Sequence, residues 1–215
     1  MVRRNHSFGP TSREGSILKT IQDVAEIQIG YQLRGGLKPD PEGTHQVVQA
    51  QDIDTDNDHR LILAGLRRIT PERDAQRYVI NNGDVLFLSR GRKTYATLIT
   101  ELLPSMPPTL GLSHFFILRP HVSLVDAEFL AWAINQATTQ DLLQRVSQGT
   151  GIPFISKQAF AALEIEIPPL SRQLAIARAH KLSRQERQLL RQLEKKRSEL
   201  VEAICMAASK DGQAR

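Results

Sequence analysis

At 215 residues, with 40% apolar and 5% aromatic side chains, the chain is long enough for one good core, or one core and an appendage, and too apolar for a disordered polypeptide. Its net charge of +5 is uneven: residues 171–215 hold 11 Lys+Arg and 5 Asp+Glu (+6), which leaves 17 and 18 for residues 1–170 (−1). The single cysteine, Cys205, excludes an intrachain disulfide framework, and no run approaches the roughly 20 apolar residues that span a bilayer, so the expectation is a soluble, cytoplasmic protein.

Residues 1–18, basic and polar with Gly9, Pro10 and Gly15, are expected to be a flexible tail, with order starting near Ile21. A main domain is expected over 19–170. In it, Ile21, Val24, Ile27 and Ile29 lead to Gly30 and to a long loop over 31–43, rich in Gly and Pro. Strand-like runs follow at 46–53, 61–69 and 84–89, the last entered through the turn Asn81-Asn82-Gly83-Asp84, and then at 95–100 and 114–118. From Asp126, a plausible N-cap, Phe129, Leu130, Ala133, Ile134 and Ala137 share one helical face, and Leu142, Leu143 and Val146 extend it past a break allowed at Thr138-Thr139. Gly149 to Pro153 form a tight loop, Ser156 caps a short helix carrying Phe160 and Leu163, and 165–167 read as a last strand.

A proline-free helix is expected over 171–209, roughly 58 Å long at about 1.5 Å per residue. Its apolar residues step by fours and threes through Leu182, Leu189, Leu193, Leu200, Ala203 with Ile204, and Ala207; Glu186 and Lys196 interrupt them. That is a heptad seam with two polar flaws, and it calls for a second helix. Arg184, Arg187, Arg191, Glu194, Lys195, Arg197, Glu199 and Glu202 lie outside the seam, as on a solvated or partner-facing side. Cys205 is expected to be a small buried helix residue, and 210–215 a disordered tail. The fold class that results is mixed α/β, of the α+β kind, followed by a long C-terminal coiled-coil helix.

Enzyme motifs fare poorly. The run Asp52 to Asp58 imitates the start of a calcium loop, but Asn57 stands where the glycine is required and Leu63 where the bidentate glutamate is; it reads as an acidic hairpin turn. The six histidines are scattered without metal-ligand pairing. Gly149-Thr150-Gly151 lacks the ending of a phosphate loop, and Pro107-Pro108 and Pro168-Pro169 lack the neighbours that an amino-methyltransferase loop needs.

The positive signal is Ser89-Arg90-Gly91-Arg92-Lys93-Thr94-Tyr95, at the end of an apolar strand. Arg90, Arg92 and Lys93 can neutralise phosphates or fork onto guanine, Gly91 lets backbone approach a duplex, and Tyr95 offers a ring. Arg34 and Lys38 in the first loop, and Gln148, Thr150 and Lys157 around the glycine loop, add suitable chemistry. The domain average supplies no attraction for phosphate: the first twenty residues are net +3, so residues 21–170 stand at −4.

The order of segments resembles the specificity subunits of type I restriction-modification systems. The resemblance is carried by Ile21-Gln22-Asp23-Val24-Ala25-Glu26-Ile27 with Gly30, by Asn82-Gly83-Asp84-Val85-Leu86-Phe87-Leu88-Ser89 with Gly91, and by Glu128-Phe129-Leu130-Ala131-Trp132. Gly149-Thr150-Gly151 with Ile155-Ser156, and Glu166-Ile167-Pro168-Pro169-Leu170 with Gln173, complete it. It implies a target-recognition domain that reads part of a bipartite site on double-stranded DNA, and a conserved helix for antiparallel coiled-coil packing. It further implies docking of an adenine-methyltransferase subunit, with or without a restriction/translocase subunit. The chain would be non-catalytic, with S-adenosylmethionine, ATP and Mg²⁺ on partner subunits. Full-length members carry two recognition domains and two helices where this sequence has one of each, so a homodimer through Leu182, Leu189, Leu193, Leu200 and Ile204 is expected, or a heterodimer with another half. A stand-alone DNA-modifying enzyme and a coiled-coil interaction or antirestriction module that reads no DNA remain open.

Overall fold

The computed structural model describes residues 15–211, and its first strand starts at Ile17, ahead of the expected Ile21. Ile17–Thr20 (β1) pairs antiparallel with Glu164–Ile167 (β11), so its partner lies at the far end of the domain and no local pattern announces it. The rest of the expected N-terminal tail, 1–14, lies outside the described residues, as do 212–215; Lys210 and Asp211 continue the terminal helix.

A short helix, Ile21–Val24 (α1), leads into Ala25–Ile29 (β2). Strand His45–Val48 (β3) stops earlier than the apolar run suggests, because the Asp52 carboxylate accepts the Gln49 N–H at 2.8 Å and closes a 3₁₀ turn over Ala50–Asp52. Ile53–Asp54 (β4) and Arg60–Leu61 (β5) form a small hairpin, and the expected 61–69 strand is split at Gly65, whose φ of +81° favours glycine, before Arg67–Ile69 (β6). Val85–Leu88 (β7), Ala96–Leu98 (β8) and Phe115–Pro120 (β10) fall where sequence places them, whereas Thr109–Gly111 (β9) is unannounced. It follows Met106-Pro107-Pro108 directly and is a strand through its parallel pairing with β3.

The central sheet runs β2-β10-β7-β8, all antiparallel, and a smaller sheet runs β6-β3-β9. Period-two alternation divides β7 between two cores. Val85 and Phe87 face the helices, with Phe116, Phe129, Leu130 and Phe160; Leu86 and Leu88 face the smaller sheet, with Val47, Ile99, Leu110 and Ile117. Gly30 is needed where β2 ends: a Cβ there would sit 2.2 Å from the Leu112 carbonyl oxygen.

Asp126 caps Ala127–Ile134 (α2), accepting the Phe129 N–H at 2.9 Å, and the helix breaks at Asn135-Gln136, earlier than the expected Thr138-Thr139, which lie inside Ala137–Val146 (α3). At the break, Asn135 accepts from the Ala96 N–H and donates to the Ala96 carbonyl, both at 2.8 Å, standing in for a missing strand at the β8 edge. Ser156 caps Lys157–Ala161 (α4).

The last helix, Leu170–Asp211 (α5), is 42 residues long. Its root is held by fully buried Gln173, which donates to the Pro168 and Leu124 carbonyls at 2.8 and 3.0 Å and accepts the Asp126 N–H at 2.8 Å. Gln173→Met therefore strips partners from three backbone groups. It is expected to cost about 3 kcal/mol at roughly 1 kcal/mol or more per group, read as a lower urea midpoint with unchanged slope. Past the root, Arg184, Arg187 and Arg191 reach the head, although Arg187 and Arg191 remain exposed to solvent. Arg184 reaches Glu128 at 3.3 Å, Arg187 forks onto Asp58 at 2.8 and 2.7 Å, and Arg191 donates to the Asp56 carbonyl. From 189 to 206 every side chain is exposed, including Cys205, which the sequence led one to expect buried; among the described residues no second helix lies over it.

Candidate nucleic-acid interface

The β7–β8 loop is built against the 148–157 segment. Gly91, at φ +137°, donates its N–H to the Pro153 carbonyl at 2.9 Å, Ile155 donates to the Ser89 carbonyl at 2.8 Å, and Arg90 bridges to Phe154. Gln148 and Phe154 exchange backbone hydrogen bonds of 2.8 and 2.9 Å, closing the glycine loop as a small hairpin beside them. Ser89 donates both its N–H and its Oγ–H to the His114 carbonyl at 2.9 Å, which draws in the β9–β10 turn. Two loops distant in sequence thus share one surface with a third.

Two grooves flank the Arg90–Lys93 tip. One, about 510 Å³, is lined by Gln32, Ser89, Arg90, Ser113, His114, Phe154 and Lys157; the other, about 520 Å³, by Asp56, His59, Gly91, Arg92, Lys93, Thr94, Gln140 and Gln144 among others. Arg90, Arg92, Lys93, Gln148, Thr150 and Lys157 are exposed, with the Arg90 guanidinium 5.8 Å from the Phe154 ring centre. Arg34 and Lys38 are exposed on the 31–43 loop but line neither groove. Tyr95 is the correction: only 5% exposed, it stacks on His59 at 4.7 Å and donates to the Ala50 carbonyl at 3.3 Å, and burial pushes its hydroxyl up to about 12. The pairing of β8 with β7 draws Tyr95 into the core, although it still lines part of the second groove.

Sequence reading missed Gln32, Ser113, His114, Gln140 and Gln144. They are neutral, belong to no charged cluster, and meet only in three dimensions. His114 is the most constrained: its Nε2 is buried without a partner, and burial, with Arg90 nearby, lowers its pKa to about 4. At neutral pH it is an uncharged imidazole close to the Arg90 guanidinium. The unfolded chain takes up this proton near 6.5 and the folded one only near 4, so stability falls as pH drops through that window. The loss tends towards about 3 kcal/mol, and His114→Gln is expected to flatten the profile between pH 7 and pH 4.5 in denaturant titrations.

The acidic hairpin clips the helix. Asp58 and His59, at φ +52° and +57°, turn β4 into β5 in the left-handed region and aim Asp58 at Arg187. Lower on α5, burial works to raise the Glu128 pKa, yet the His180 ring at 3.5 Å and the charge of Arg184 bring it below its ordinary value. Among the described residues no group of three or more His, Cys, Asp or Glu is placed to hold a metal ion, and no helix is long and apolar enough to cross a membrane.

An α/β head bearing polar loops and mounted on a helical rod defines the class of fold. The family model of the type I restriction modification DNA specificity domain matches residues 15–203, and the chain belongs to that family. No curated protein matches it. Among solved structures, it is similar to the type I restriction-modification S subunit of M. genitalium (17% identity, TM-score 0.53, covering 81% of this chain and 40% of that one). It is also similar to the HsdS subunit of Thermoanaerobacter tengcongensis (17%, 0.58, 84% and 45%) and to a chain from a study of complex assembly and conformational transition of the type I R-M system (19%, 0.60, 86% and 42%). The likeness is one of fold, and the chain spans less than half the length of each.

Proposed function

We propose that this chain is the DNA-specificity component of a type I restriction-modification system. It reads one half of a bipartite site with the Arg90–Lys93 tip and its two grooves, and carries an adenine methyltransferase, with or without a restriction/translocase subunit, on α5. The family match over 15–203 is the observation that carries this reading. Convergence of the β7–β8, β9–β10 and 148–157 loops supports the location of the reading face. Local cations there offset a body that is otherwise slightly acidic, so binding rests on placed contacts rather than on bulk charge.

The chain does no chemistry of its own in this proposal; S-adenosylmethionine, ATP and Mg²⁺ are used by partner subunits. Two copies joined through α5 present two identical heads, and a twofold pair reads an inverted repeat. Selection from a pool of random duplexes by the purified chain is expected to enrich an inverted repeat with a fixed gap, and immobilised chain is expected to retain a methyltransferase subunit of the same host. Equal recovery of all sequences, with no methyltransferase retained, would remove the proposal.

A further inference from the structure

The head occupies one side of α5 and leaves the other open. It touches the helix along the stripe of Ala177, His180, Arg184, Arg187 and Arg191. The seam lies opposite, about 180° around at 3.6 residues per turn. There Leu182, Leu189, Leu193 and Leu200 are 60, 65, 65 and 61% exposed, with Glu186 and Lys196 exposed among them. A seam this apolar needs a cover, and its two charges say which one.

We infer that a second copy of this chain lies antiparallel on the seam with the twofold axis level with Arg191, so that Glu186 of each copy meets Lys196 of the other. This rests on the homodimer reading above and adds its register. Residues equally spaced about 191 then face each other: Leu189 meets Leu193, Leu182 meets Leu200, and Ala179 meets Ala203. Every such pair joins an a position to a d position, as antiparallel coils require, and the flanking e stripe brings Leu190 onto Leu190.

Other arrangements fail on charge. A parallel in-register pair sets Glu186 on Glu186 and Lys196 on Lys196. Sliding the antiparallel pair by one heptad sets Glu186 against Ala203 in one direction and Leu189 in the other, and leaves each charge covered but unpaired. The two flaws in the seam are thus a register key: each is unfavourable alone, and they meet in one alignment.

Charge reversal tests this in the full chain, with dimer dissociation followed by light scattering on dilution. Glu186→Lys and Lys196→Glu are each expected to raise the dimer Kd by about tenfold or more, and the double reversal to return it to within about threefold of the parent. On a Cys205→Ser background, Glu186→Cys combined with Lys196→Cys is expected to cross-link on oxidation. Both positions are exposed in the single chain, so circular dichroism should show the fold unchanged. A dimer whose Kd ignores the single reversals, or shows no recovery in the double, overturns the register and leaves the homodimer standing. A parent chain that stays monomeric at tens of micromolar overturns both.

Discussion

Leu189→Asp combined with Leu193→Asp is expected to leave the chain monomeric while the head folds normally. Both side chains are 65% exposed in the single chain, so little packing inside it depends on them. In a paired seam each leucine buried contributes about 1.5–3 kcal/mol, and a twofold interface contains each substitution twice. The two changes also crowd four carboxylates at the axis. A rise in dimer Kd on the order of 10³-fold or more follows, measured by light scattering or sedimentation, with the thermal transition of the head unmoved. A variant that stays dimeric would place the interface elsewhere on the molecule.

Arg90→Ala, Arg92→Ala and Lys93→Ala together are expected to abolish measurable DNA binding at moderate salt and leave the dimer intact. All three are exposed at a tip whose backbone is held by the Gly91–Pro153 and Ser89–Ile155 hydrogen bonds, so their removal alters charge without unfolding the loop. Taken singly they should separate by role. A base-reading arginine costs about 1–3 kcal/mol on the cognate site and relaxes preference at one position, whereas a phosphate-contacting lysine weakens all duplexes alike and lowers the salt slope by about 1. Binding titrations on cognate and random duplexes at two salt concentrations distinguish the two patterns. Unchanged affinity in the triple variant would move the interface away from this tip.

These variants act on opposite ends of one mechanical arrangement. Gln173 fixes the root of α5 to the α2 cap, and the Asp58–Arg187 pair holds the helix a few turns further on, so the angle between head and rod is set at two points. The exposed Asp58–Arg187 pair contributes little stability by itself, but with the buried Gln173 it restricts rotation of the rod. A run read in the sequence as an acidic turn therefore acts as a clip, which no spacing of carboxylates along the chain would reveal.

Where local pattern governs structure, sequence was a good guide. The Asp126 and Ser156 caps and the doubly buried β7 follow from side chains acting on their own backbone or from an apolar run bounded by a turn. Elements that exist only through a distant partner were not legible: β1 depends on β11, and β9 on β3. The candidate site divides the same way. Its charged residues stand out in the chain; its neutral ones, such as Gln32, Ser113 and His114, are brought to Arg90 by hydrogen bonds between loops far apart in sequence.

The sequence by itself determined that the protein is a mixed α/β head with a long seamed helix, because core alternation, caps and heptads are short-range properties that any chain must satisfy before it packs. Only the tertiary structure decided that Tyr95 is buried in the core, that three arginines of α5 grip the head, and that the leucine seam faces away from it. Those outcomes depend on which face of a strand or helix meets a surface made by remote residues. That choice is settled by the total area and charge brought together, not by any residue's neighbours along the chain.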